Sequence, residues 1–99
     1  MNGSDFKVEF TGLAREQYRN ALRRAKNASR SEELGTAMRT LVVQLTDTPT
    51  EIGEPMYRLH SMKMDVRRVA LAPVYLEYGV HLSEPLVVIR RVVGMAKPD

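Results

Sequence analysis

The chain has no cysteine and only two histidines. That excludes a disulfide framework, a thiolate nucleophile and a cysteine zinc site, and no metal site is expected. No apolar run approaches the roughly 18 residues of a membrane span. The opening Met1-Asn2-Gly3-Ser4-Asp5 lacks the apolar stretch of a signal peptide. The expectation is a cytoplasmic protein with no membrane partner. There is no glycine-rich phosphate loop, no nucleophile elbow and no zinc-binding His/Glu helix motif, so nucleotide hydrolysis and acyl transfer have no basis here. No small-molecule cofactor is expected.

What remains is the composition of an ordinary globular domain. The 99 residues suit one domain, 1–99, with a small core. The net charge of +3 is modest, but its distribution is uneven. Between Thr11 and Ser31 stand six cations (Arg15, Arg19, Arg23, Arg24, Lys26 and Arg30) and a single acid, Glu16. Such clustering makes an electrostatic footprint for an anionic partner, or a solvated helix face rich in a good helix former.

Phe6-Lys7-Val8-Glu9-Phe10 alternates with the period of a half-buried strand. From Leu13 the spacing turns helical. Ala14, Tyr18, Ala21, Leu22 and Ala25 form an apolar stripe, with the arginines on another side. Ser29 and Glu32 have the spacing of a capping box for a second helix. Leu34, Ala37, Met38, Leu41, Val42 and Leu45 give that helix its apolar face, and Pro49 follows its end. A short connection makes the two an antiparallel hairpin. Residues 51–55 read as a loop. Strands are then expected at Met56–Met62, Asp65–Leu71, Val74–Val80 and Leu86–Val93. Pro73 suggests a bulge or edge position, and the last strand reads as buried on both faces. The order predicts an α+β fold: an N-terminal strand and a helical hairpin packed on one face of a twisted antiparallel sheet of about four strands.

The other sheet face is the candidate site. With Tyr57, Leu59, Val74, Leu76 and Tyr78 turned to the helices, Arg58, His60, Tyr75 and Glu77 face out. One of Arg67 and Arg68, and one of Arg90 and Arg91, joins them. Arginines can grip phosphates in a fork geometry, and Tyr75 can stack on an exposed base. A metal-independent endoribonuclease needs a base for the 2′-hydroxyl, cations for the phosphate and an acid for the leaving oxygen. Glu77 or His60 supplies acid–base groups, and Arg58, Arg68 and Arg90 supply charge. A polar sheet face that is merely solvated is the plain alternative. Met62 and Met64, flanking Lys63, are core filling or a soft contact surface.

The order of elements and several residues resemble the RelE/ParE toxin superfamily. The shared pattern is the opening strand, the Ala-, Arg- and Leu-rich hairpin, Pro49 followed by Gly53, Tyr57-Arg58-Leu59, Val66-Arg67-Arg68-Val69, Tyr78-Gly79-Val80 and Val93-Gly94. It spans about residues 6 to 95. The resemblance implies the fold above and neutralisation by an antitoxin protein. It also implies one of two targets: messenger RNA on the ribosome, as for RelE-like members, or DNA gyrase, as for ParE-like members. Arg68 falls near a basic position of the RelE active-site strand, and Tyr78 matches a mainly structural tyrosine. Tyr75 replaces a phosphate-binding arginine of the pattern. After Gly94 the pattern's basic residue and later tyrosine are missing, with Arg90, Arg91 or Lys97 as substitutes. The leading expectation is a toxin-like protein acting on RNA or the translation machinery. The alternatives are a non-catalytic binding module and a degenerate, non-toxic member.

Overall fold

The computed structural model describes residues 5–95. The elements run β1 (Lys7–Phe10), α1 (Gly12–Asn27), α2 (Ser31–Asp47), β2 (Glu54–Leu59), a 3-10 turn (His60–Met62), β3 (Met64–Leu71), β4 (Val74–His81) and β5 (Leu86–Gly94). They form a five-stranded sheet in the order β1-β5-β4-β3-β2. β2 to β5 make an antiparallel meander, whereas β1 lies parallel to β5. The sheet is therefore mixed and has one strand more than expected. The two helices return the chain to the starting end of the sheet, so β1 joins the edge in the direction of β5. Among the described residues no helix is long and apolar enough to cross a membrane.

Thr11 caps α1, its hydroxyl oxygen accepting from the Ala14 amide at 3.0 Å. The stripe read from the sequence is the buried one. Ala14 and Ala21 are in the core, and Tyr18, Leu22 and Ala25 pack against it. The capping box expected at Ser29 for α2 does not form, and Arg30 is the residue that precedes that helix. Ser29 instead takes a left-handed conformation, φ 60°. The Arg30 amide donates to the Ala25 carbonyl and the Ser29 amide to that of Lys26, which together close the helix in a Schellman turn. Ser29 is thus used to terminate α1. Arg30 precedes α2 without a side-chain cap, and its Nε donates to Glu33 at 2.9 Å.

Leu34, Ala37, Met38, Leu41 and Leu45 of α2 meet Val74, Leu76, Tyr78 and Val80 of β4 and Val87, Ile89 and Val92 of β5 in one core. Burial of side chains of this size is worth about 1.5–3 kcal/mol each, so the helical hairpin is held chiefly by this face. β5 is buried fully only on the helix side; Val88 and Val93 are half-covered on the other. Pro73 lies in the turn that joins β3 to β4, not in a strand. The edge of β5 beyond β1 is satisfied by α1, where Gln17 Oε1 accepts from the Val92 amide at 2.8 Å.

Candidate functional site

The helices cover one sheet face and leave the other without a layer. Across this open face, side chains at opposed register positions form rows. One row crosses four strands: Glu54 of β2, Arg68 of β3, Glu77 of β4 and Arg91 of β5. Its charges alternate. Arg68 Nε stands 3.5 Å from Glu54 Oε1, and Arg91 Nη1 stands 3.3 Å from Glu77 Oε2. The Tyr75 hydroxyl donates to the same Glu77 oxygen at 2.9 Å. No hydrogen bond to Glu77 Oε1 is made among the described residues. The side chain of Glu77 is 18% exposed, while those of Arg68 and Arg91 are half exposed. Partial burial, and then the Glu77 carboxylate, push the Tyr75 phenol above its ordinary value, with nearby Arg68 opposing them. Tyr75 is therefore a neutral donor to Glu77 at physiological pH.

Two features position this row. Gly53 has φ 70°, and a Cβ there would lie 2.2 Å from the Arg68 carbonyl oxygen. Only glycine lets the loop touch β3 and deliver Glu54 beside Arg68. On β5, the register against β4 shifts between Glu77 and Tyr78, leaving Arg90 as an extra residue between Ile89 and Arg91. This bulge lets Ile89 and Val92 both face the core while Arg91 faces out. The signal was present in the sequence: two apolar residues three apart in a strand, with two arginines between, require a bulge if both are buried. Arg90 also reaches across the open face, with Nη1 3.8 Å from Met62 Sδ.

The structure brings together Arg68, Tyr75, Glu77, Arg90 and Arg91 from the predicted set and leaves the others elsewhere. Arg58 is a correction. Alternation counted from Glu54 would turn Arg58 outward and Tyr57 to the helices. A bulge between Pro55 and Tyr57 reverses this. Tyr57 pairs with Val66 on the open face and is 52% exposed. Arg58 lies opposite Asp65, on the other face, with Nε 2.7 Å from the Asp65 carboxylate. That hydrogen bond holds the Asp65 carboxyl below its ordinary value. His60 is not on a strand; it opens the 3-10 turn on the Asp65 side.

Arg67 also faces the helices. Its Nη2 donates to the Ile52 carbonyl at 3.1 Å and that of Gly53 at 3.3 Å. The buried Tyr78 hydroxyl lies 2.9 Å from the Pro49 carbonyl oxygen and 3.0 Å from that of Ile52. Arg67 and Tyr78 together clamp the 49–53 loop, which is a structural task. Arg15, Arg19 and Arg23 are exposed on α1, on the helix side of the sheet and so away from the row. Arg19 pairs with Glu16 at 3.8 Å and Arg23 with Asn20 at 3.1 Å. Lys97 lies outside the described residues. Among the described residues, no group of three or more His, Asp or Glu is placed to hold a metal ion.

No protein-family model matches the sequence, and no curated protein matches it. Solved structures do match. One is a chain of the RelBE2 toxin–antitoxin complex from Mycobacterium tuberculosis, 21% identical, with a TM-score of 0.67 over 97% of this chain and 98% of that one. Another is a chain of the chromosomal ParDE toxin–antitoxin system from P. aeruginosa, 11% identical, with a TM-score of 0.64 over 94% and 99%. A helical hairpin on one face of a sheet, with a charged row on the other, is the class this architecture defines. Within that class the chain has a RelE/ParE-like toxin fold.

Proposed function

We propose that this chain is the toxin of a toxin–antitoxin pair, neutralised by an antitoxin protein and acting in the cytoplasm. Its open face acts on RNA as a metal-independent endoribonuclease, on the ribosome or on translated messages. The observation that carries this reading is Glu77, held by Tyr75 and Arg91 through one oxygen, in one row with Arg68. A phosphodiester lying on Arg68 and Arg91 would be gripped by two guanidiniums. The Oε1 of Glu77 takes the 2′-hydroxyl proton, and the 2′-oxygen attacks phosphorus. The bond to the 5′-oxygen breaks, and the proton returned to that oxygen comes from the Glu77 carboxyl so formed. The products are a 2′,3′-cyclic phosphate and a 5′-hydroxyl, and the arginines stabilise the charge that builds between.

A second reading has its own observation. Glu54 compensates Arg68 and Glu77 compensates Arg91, as suits a surface that docks a protein such as gyrase without catalysis. Controlled induction in bacteria separates these readings. The wild type arrests growth, and folded Glu77→Gln and Arg68→Ala proteins do not. Message cleavage in a translating extract then marks the nuclease. Arrest with intact messages marks the binding module. Arrest by both variants at equal soluble expression removes the open face from the function altogether.

A further inference from the structure

Beside the charged row lies a second row that the proposed chemistry does not use. Tyr57, Val66, Gly79 and Val88 are opposed across β2 to β5. It is two residues along β3 from Arg68, roughly 7 Å at the strand rise. Val66 is buried and Gly79 has no side chain, so this row is a low apolar floor with Tyr57 standing at its β2 end, 52% exposed. A Cβ at Gly79 would lie 2.7 Å from Met64 Sδ, so the glycine makes room for that methionine. Arg90 has no carboxylate partner among the described residues; it meets the sulfur of half-exposed Met62.

An exposed tyrosine alone is ordinary. Here its position is built. The β2 bulge turns this ring away from the helices, as the β5 bulge turns Arg91 outward, and both land on one face. An aromatic face one row from two guanidiniums, with a further arginine uncompensated, is the combination that holds single-stranded nucleic acid. Bases stack on the ring while phosphates meet the cations. We propose that Tyr57 is a base-stacking residue and that the open face binds single-stranded RNA. One phosphate lies over Arg68 and Arg91, and the neighbouring base lies on Tyr57. The inference rests on the RNA reading above and adds how that RNA is held.

The test is fluorescence anisotropy with a short labelled single-stranded oligoribonucleotide and an abasic strand of equal length. The proteins are the wild type, Tyr57→Ala, Tyr57→Phe and Arg91→Ala, each checked for folding by circular dichroism. Tyr57→Ala should weaken the intact strand roughly tenfold, the loss of one stacked base. Tyr57→Phe should bind as the wild type does. The abasic strand should not distinguish Tyr57→Ala from the wild type, while Arg91→Ala weakens both strands. If Tyr57→Ala keeps full affinity for RNA that Arg91→Ala loses, the phosphate contacts stand and the stacking role is overturned. The stacking role is equally overturned if Tyr57→Ala binds RNA normally and loses only a protein partner. If the wild type binds neither strand, the RNA reading itself falls, and this inference with it.

Discussion

Arg91 donates to Glu77 at 3.3 Å because β5 carries one residue more than β4 between Ile89 and Arg91. Arg90 is that residue. Its deletion would leave Ile89, Arg91 and Val92 consecutive, and strict alternation alone would then keep Ile89 and Val92 in the core and Arg91 out. The deletion should therefore cost no more than an ordinary substitution, about 0.5–3 kcal/mol. Arg90→Ala keeps the register and should cost less than about 1 kcal/mol. Urea denaturation checks this: a loss beyond about 4 kcal/mol in the deletion variant would mean that Arg91 had turned inward and that Arg90 is not the bulge residue.

Gly53 and Gly12 make opposite predictions. Alanine at Gly53 needs φ 70° and places its Cβ against the Arg68 carbonyl oxygen. The loop must move, at a cost of roughly 1–3 kcal/mol, and Glu54 moves with it. At Gly12, in the first turn of α1, a Cβ meets nothing within 4 Å. Gly12→Ala should stabilise by about 0.5 kcal/mol through the unfolded chain. Thermal melts should therefore shift down for the first and slightly up for the second.

Tyr78→Phe removes only the hydroxyl between the Pro49 and Ile52 carbonyls. The ring keeps its place in the core, so packing is unchanged and the lost bonds are isolated. The expected cost is about 1–2 kcal/mol, read as a fall in Tm of roughly 4–8 °C per kcal/mol for a domain of this size. Hydrogen exchange should quicken in residues 49–53 first, because Arg67 then holds that loop alone.

Acid should expose the Arg58–Asp65 pair. The hydrogen bond from Arg58 holds the Asp65 carboxyl below its ordinary value of 3.8. A carboxyl lowered on folding contributes stability fully above its unfolded value and loses that contribution as pH falls through the folded one. Both side chains are largely solvated, so the effect is small. Arg58→Ala should return Asp65 to its ordinary titration, followed by carboxyl NMR, and flatten the acid limb of stability against pH below about pH 4. An unchanged Asp65 titration would contradict the assigned cause.

Much of the architecture is local and therefore legible in the chain. The helical stripe from Ala14 to Ala25, the apolar face from Leu34 to Leu45 and the alternation of Val74, Leu76, Tyr78 and Val80 each follow from the period of one element against one core. These patterns determined two helices on one side of a sheet, and they carried the resemblance to RelE/ParE toxins. What they left open was decided between elements. Ser29 has the spacing of a cap, but the tight reversal into α2 required it as the left-handed residue that ends α1. Pro73 became a turn because β3 and β4 pair through to Leu71 and Val74. Arg58, Tyr57, Arg67 and Arg91 took their faces from two bulges and from the loop at Gly53. A bulge is a mismatch in residue count between two paired strands, so it has no existence in either strand alone. The sequence by itself thus determined which residues are apolar enough to make a core and which charges were available. Only the tertiary pairing decided which of those charges share a surface with Glu77.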